Sequence, residues 1–287
     1  MILENVNRLA HAVEANWCAA WASLGSAPDA RNPTHVDDTP TYLRVCTPGV
    51  PEMLVNTVLR YYGPSPVMAS DVENVIAPYR RHHLPFQWWL MLGEEPRGLR
   101  DHLHRLQLQP CGTSTCMALE LDAWHAPSAP ARSEPGETRQ RVTSPEDGDD
   151  ALRVICDVFY VPAGPMARWT TDNAAFVLYL SRIGDYAASA LATLRDGDTV
   201  GVYHVGTRSG YRRRGLAGRL LTLALSEAHA AGARLATLTA TPEAAPLYES
   251  LGFRACGRIE QWIPGPELMG RLYHGSPLAQ TLGGGWW

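Results

Sequence analysis

Arg212, Arg213 and Arg214 stand directly ahead of Gly215, Leu216, Ala217 and Gly218, where an apolar helical repeat begins. A run of guanidinium groups at such a place suits a nucleic-acid patch, a solvated loop or one wall of a phosphate site. The residues behind the arginines bear on the last. Amides in the first turn of a helix have no partner inside the helix and lie at the positive end of its dipole. Glycine or alanine at 215, 217 and 218 keeps side-chain bulk away from those amides, so a phosphate or pyrophosphate has a seat there. Arginine adds charge and forked donors beside it. On the turn alone, a glycine that merely permits an unusual backbone angle, with solvated arginines, stands as the alternative.

The composition narrows the choice. Residues 1–135 hold 10 arginines against 14 Asp and Glu, and residues 136–287 hold 15 against 15, for a net charge of −4. A nucleic-acid binder carries a basic excess, and this chain does not. All 25 basic residues are arginine, which together with abundant Ala, Gly and Pro suggests a GC-rich bacterial coding sequence. The six cysteines are scattered without a Cys-x-x-Cys pair, which argues against a disulfide scaffold or a zinc site, and no metal is expected. Cys156 and Cys256 sit in apolar contexts and read as core residues. The N-terminus lacks a signal-peptide run and no apolar stretch is long enough to span a bilayer. A cytoplasmic protein with no membrane partner, monomer or homodimer, is the expectation.

The elements that must position the turn follow from periodicity. Val6, Leu9, Val13, Trp17, Trp21 and Leu24 form one helical stripe. After a loop over 25–40, strands are predicted at 41–47, 53–62, 85–92 and 116–122, with helices at 70–83 and 97–107; Pro78 should kink or interrupt the first of these. Residues 124–138 are rich in Pro, Ser and charge and read as a linker. A strand near 139–144 and a helix over 145–162 follow, the helix capped by Ser144 ahead of Pro145. Strands at 177–183, 186–194 and 199–207 lead to the arginine turn and its helix. A strand at 234–240, a helix at 242–252 and a strand at 253–263 complete the pattern; the tail beyond gives little periodicity. Both halves share an α/β order, which hints at duplication.

The turn is neither a P-loop nor a Gly-x-Gly-x-x-Gly fingerprint. Arg212-x-x-Gly215-x-Ala217 is similar to the acyl-CoA-binding motif of the GNAT N-acetyltransferases, Arg/Gln-x-x-Gly-x-Gly/Ala. GVYHVGTRSGY (201–211) resembles that family's fourth strand, and TPEAAPLYESLGF (241–253) its later turn and helix, with Thr241 where asparagine is common. The resemblance covers about residues 138–263. It implies an α/β GNAT fold of mixed, mostly antiparallel sheet flanked by helices, with strands four and five splayed around the pantetheine of acetyl-CoA. The cofactor-binding set it implies is Val205, Thr207, Arg212, Arg213, Arg214, Gly215, Leu216, Ala217, Gly218, Thr241 and Ala244. Amides of 212–217 would hold the pyrophosphate, and an amide near Val205 would polarise the thioester carbonyl.

Two side chains are catalytic candidates. Tyr248 falls where the family often keeps the general acid for the thiolate; packing on the sheet is the other reading. His204 neighbours Tyr203, alternation sends the two to opposite sheet faces, and an imidazole there suits an ammonium acceptor; a packed histidine is equally consistent. The N-terminal half resembles the fold through its element order and LPFQWW, but GPSPVMAS (63–70) replaces the motif, so it should not bind CoA; Trp88 and Trp89 read as core. The expected organisation is a degenerate domain at 1–130 and a catalytic domain at 131–287. The expected activity is acetyl transfer to a primary amine of a small molecule, natural product or peptide, within one ternary complex. A non-catalytic acyl-CoA-binding regulatory or structural protein is the rival.

Overall fold

Residues 2–26, 32–125 and 133–266 are described by the structure, a computed structural model. In chain order the elements are α1 (Ile2–Ala22), β1 (His35–Asp38), β2 (Leu43–Cys46), β3 (Thr57–Leu59), α2 (Ala69–Arg81), β4 (Gln87–Met91), α3 (Leu99–Arg105) and β5 (Leu108–Glu120). Then follow β6 (Glu137–Arg141), α4 (Pro145–Phe159), α5 (Ala163–Ala167), β7 (Phe176–Ile183), β8 (Tyr186–Asp196) and β9 (Thr199–Thr207). The last are α6 (Leu216–Ala230), β10 (Leu235–Ala240), α7 (Ala245–Ser250) and β11 (Arg254–Pro264). The unpatterned tail lies outside the described residues beyond 266.

Two departures from periodicity have a buried polar group behind them. Pro78 does not interrupt α2, which runs on to Arg81, although its missing N–H leaves the Asn74 carbonyl without its helical donor. The guanidinium of Arg44 takes that place, Nη1 donating to Asn74 O at 3.1 Å and Val75 O at 2.7 Å. Residues 53–55 form a 3₁₀ turn rather than strand because buried Asn56 pins them: its Nδ2 donates to Val50 O and Glu52 O, and its Oδ1 accepts from Thr47 N. Ser144 does cap α4, its Oγ accepting from Asp147 N at 3.2 Å. Strand β1 lies in the segment that reads as loop, and the short helix α5 within 160–176 is also unannounced by the sequence.

Two compact units emerge, and neither is contiguous in sequence. One combines residues up to Ser23 with Thr115–Gly257; the other holds Leu24–Ser114 and the chain from Arg258. The linear division at residue 130 therefore does not coincide with the packing. In the first unit β6–β7, β7–β8 and β8–β9 pair antiparallel, β9–β10 parallel, and β10 pairs antiparallel with residues 115–120 of β5. In the second, β1–β2 and β2–β3 pair antiparallel, β3–β4 parallel, and β4 antiparallel with residues 259–262 of β11. Apart from the additional antiparallel pair β6–β7, the sequence of pairings is the same in both, which gives the hint of duplication a structural form. Each unit's sheet closes on a strand from the other half of the sequence.

Helix α1 joins the first unit for a physical reason. Gly201 on β9 has no Cβ, and one placed there would meet Asn16 Oδ1, so α1 lies close on the strand. Tyr203 Oη donates to Asn16 Oδ1 at 2.6 Å and lies 3.0 Å from Asn16 O. Beneath α6 and α7 the core holds Met117, Leu191, Val202, Leu220, Leu225, Leu238 and Phe253. The second unit has its own core around Val58, Val75, Tyr79, Trp88, Leu103 and Trp262.

Candidate active site

The site grows from the way β9 ends. Its parallel ladder with β10 runs over Thr199–Gly201 against Leu235–Thr237 and goes no further, so the later residues of β9 part from β10. On the other side, the antiparallel register with β8 slips where Ala192 faces Tyr203 and Ala190 faces Gly206. That β-bulge leaves one residue unmatched and turns the backbone. His204 carries the turn at φ 53°, a left-handed conformation uncommon outside glycine.

The bulge corrects the expectation that alternation separates Tyr203 from His204. Both rings join one aromatic cluster: His204 lies 5.8 Å from Trp169 and 6.1 Å from Phe159, and Tyr203 5.5 Å from Phe176. Burial pushes the His204 imidazole down to about 4, and its buried Nε2 has no hydrogen-bond partner among the described residues. The ring is neutral at ordinary pH and its basicity is low. Val205 turns the other way and packs, with Ala244 and Leu247, against the core that includes Tyr248 on the α6–α7 side.

After Thr207 the chain closes a 3₁₀ turn at Ser209–Tyr211, passes Arg213 at φ 63° and reaches Gly215 at φ 75°, the N-cap of α6. No side chain caps α6, and its first turn contains no acidic residue. Arg212, Arg213, Arg214 and Gly215 are exposed. Arg212 Nε donates to Thr207 O at 3.0 Å, and Arg214 Nη2 to Gly210 O at 3.2 Å, so both brace the loop through carbonyls. The Thr207 hydroxyl lies 2.9 Å from Ser189 Oγ. Open first-turn amides with guanidinium groups around them are what a pyrophosphate requires, and these residues fit the CoA diphosphate.

Tertiary structure adds residues that the sequence pattern does not mark. Tyr186 stacks on Tyr211 at 5.1 Å, with Arg208 over the first ring at 5.0 Å and Arg214 over the second at 5.2 Å. Arg208 also pairs with Asp157 of α4 at 2.7 Å. This four-residue stack holds the arginine loop, and no spacing in the sequence announces it. Gly218 has a second reason to be glycine: a Cβ there would touch Leu247 Cδ1 at 3.4 Å, so α6 and α7 lie close. Arg219, although next to the motif, is committed to Glu137, Nε at 3.0 Å and Nη2 at 2.7 Å.

Tyr248 is 6% exposed and packs edge-on against Phe253 at 6.0 Å. Burial pushes its phenol up to about 12, so it stays protonated through the whole neutral and mildly alkaline range. Ala244 is the N-cap of α7, and its amide donates to Thr241 O at 3.0 Å; Thr241 itself is exposed. Val205, Ala244 and Tyr248 thus gather on one side of β9, and His204 on the other. Among the described residues no group of three or more His, Cys, Asp or Glu is placed to hold a metal ion, and no helix is long and apolar enough to cross a membrane.

Residues 150–262 match the family model described as Acetyltransferase (GNAT) domain. Among solved structures, the chain is similar to a GCN5-related N-acetyltransferase from Kribbella flavida, with TM-score 0.64, 19% identity and coverage of 88% of this chain and 96% of that one. It is similar also to a GCN5-related N-acetyltransferase from Sphaerobacter thermophilus, at TM-score 0.57 and 17% identity over 88% and 91% of the two chains. A tandem GNAT protein from the clavulanic acid biosynthesis pathway aligns at TM-score 0.54 and 14% identity over 88% and 95%. At these identities the likeness is one of fold. No curated protein sequence matches the chain.

Proposed function

We propose, from the match of residues 150–262 to the GNAT acetyltransferase domain model, that the chain acetylates a primary amine with acetyl-CoA by direct transfer in a ternary complex. The observation that carries this reading is the first turn of α6: uncapped, free of acidic residues, opened by left-handed Gly215 and ringed by Arg212–Arg214. Bound acetyl-CoA would supply an acetyl thioester for the acceptor nitrogen to attack. The amides of residues 212–217 would hold its diphosphate, and the edge of β9 that parts from β10 beyond Gly201 would align the pantetheine amides as a further strand would. An amide freed at the bulge beside Val205 would donate to the thioester oxygen as charge develops on it.

Tyr248 is the candidate donor to the departing sulfur. A phenol near 12 is a weaker acid than a thiol of ordinary pKa near 8.5, so its hydroxyl would stabilise the thiolate by a hydrogen bond more readily than by complete proton transfer. His204 is available as an acceptor because it is neutral, but a pKa near 4 makes it a weak base. That weakness favours a second reading, a non-catalytic acyl-CoA-binding protein. The readings part on one experiment: incubation of the full chain with acetyl-CoA and a panel of amines, with released thiol and acetylated product both measured. Product formation lost in Gly218→Asp supports the transferase. Saturable acetyl-CoA binding without product from any amine supports the sensor, and no acetyl-CoA binding defeats both.

A further inference from the structure

Helix α1 carries a residue out of keeping with its buried face. Val13, Asn16 and Ala20 follow one another at helical spacing and are 2%, 1% and 0% exposed, so Asn16 stands where an apolar side chain belongs. A buried carboxamide is costly unless its hydrogen bonds are made. Here they are made to two strands of the sheet beneath. Asn16 Nδ2 donates to Leu194 O of β8 at 3.4 Å, and Asn16 Oδ1 accepts from Tyr203 Oη of β9 at 2.6 Å. Leu194 and Gly201 are partners in the β8–β9 ladder, and Gly201 lacks the Cβ that would collide with the carboxamide. Glycine inside a strand weakens it, and close approach of another segment is what it permits. Asparagine on the helix face and glycine in the strand are each a poor local choice. Together they make one tie.

The tie sits at the start of the bulge. Ala192 faces Tyr203 and Ala190 faces Gly206, so His204 and Val205 together oppose Leu191. The far end of the bulge is fastened within the sheet: Ser189 Oγ donates to Gly206 O at 2.8 Å and lies 2.9 Å from Thr207 Oγ1. Val158 of α4 lies close over that end, where a Cβ on Gly206 would meet it at 3.1 Å. The near end is fastened by the Tyr203 hydroxyl on Asn16. A bulge gives up ladder hydrogen bonds, and a strand so loosened can slip in register. Fastened at both ends, this one keeps His204 left-handed at φ 53°.

We propose that Asn16 is a positioning residue for acetyl transfer, holding Tyr203 so that the bulge keeps the amide beside Val205 aimed at the thioester carbonyl. The inference rests on the acetyl-transfer reading of β9. Asn16 itself touches no reacting atom and acts only through Tyr203.

An amide that donates to a carbonyl weakens the C=O bond and lowers its stretching frequency. Isotope-edited infrared spectra of acetyl-CoA, labelled at its carbonyl carbon and bound to the full chain, therefore read the aim of the amide without any acceptor. The bound band is expected below that of free acetyl-CoA in the wild type. Asn16→Ala and Tyr203→Phe should each return it toward the free position. Acetyl-CoA affinity should change less than about tenfold, the most that one neutral hydrogen bond carries. Leu225→Val, in the core away from the tie, should lower the thermal midpoint and leave the band where it is, which separates aim from stability. A wild-type band at the free position, a lowered band kept in both variants, or an equal return in Leu225→Val would overturn the proposal. If Asn16→Ala fails to fold, Tyr203→Phe decides, since it keeps the ring and removes only the hydroxyl. Failure of the wild type to bind acetyl-CoA would defeat the acetyl-transfer reading and this inference with it.

Discussion

Helices α2 and α6 occupy corresponding places, each following a strand whose next sheet neighbour is parallel to it, yet they treat their N-termini in opposite ways. At α2 the chain satisfies itself: the amide of N-cap Met68 donates to Asp71 Oδ2 at 3.0 Å, and that carboxylate, three positions into the helix, faces the positive end of the dipole. The cation nearest the preceding strand, Arg60, pairs with Asp38 and donates to Thr39 O. At α6 the third position is Gly218, the N-cap is left-handed Gly215, and Arg212 and Arg214 donate to backbone carbonyls. The helix dipole meets a carboxylate of its own first turn in one unit and no acidic residue of its first turn in the other. If α6 seats the diphosphate as proposed, fold alone does not make the anion site; the third residue of the helix and the partners of nearby arginines do.

The comparison breaks most sharply if α6 is given the device of α2. Gly218→Asp places a carboxylate at the third helical position, and its Cβ meets only the flexible end of Leu247. Acetyl-CoA affinity, measured by calorimetry, should fall about 100-fold, the scale of one lost diphosphate seat plus a repulsive charge, with circular dichroism unchanged. Unchanged affinity would show that the open turn is not the diphosphate site.

His204 sharpens the contrast at β9. Its folded pKa of about 4 lies below the ordinary 6.5, so the unfolded chain takes up a proton first as pH falls. Stability from this residue is full above pH 6.5 and is lost as pH drops toward 4. His204→Asn tolerates the left-handed backbone and does not titrate; urea unfolding should show its loss between pH 7 and 4.5 smaller than wild type by about 2 kcal/mol. An equal acid loss in both proteins would mean the imidazole titrates normally and is open to water.

Tyr248→Phe removes one hydroxyl and keeps the ring on Phe253. Turnover should fall about tenfold with the acetyl-CoA KM nearly constant, because the contribution arises in the transition state. With a phenol near 12, wild-type turnover should also show no loss from tyrosine ionisation up to pH 10. Full turnover in the phenylalanine variant would return Tyr248 to a packing role.

The smallest effect belongs to α2. Asp71→Ala should cost about 0.5 to 1 kcal/mol in chemical unfolding and leave acetyl-CoA stoichiometry at one per chain by native mass spectrometry. A second equivalent bound to the wild-type chain would contradict the division between the two turns. Such tests need the whole chain, since cutting near residue 130 takes the paired stretch of β5 from one sheet and that of β11 from the other.

The sequence by itself determined what local rules control. The α1 stripe, the Ser144 cap, strand β9 and the Arg212-x-x-Gly215-x-Ala217 turn are all set by side-chain period, capping chemistry and glycine's backbone freedom, which act within a few residues. Only tertiary structure decided the rest. Pro78 stays inside α2 because Arg44, thirty-four residues earlier, supplies the missing donor. Tyr203 and His204 share a side because a bulge against β8 overrides alternation. The Tyr186–Tyr211 stack, and the strands each half contributes to the other's sheet, depend on pairings between segments far apart in the chain. Such contacts leave no period in the sequence, because strand partners and buried hydrogen bonds are chosen by the folded surface and not by neighbouring residues.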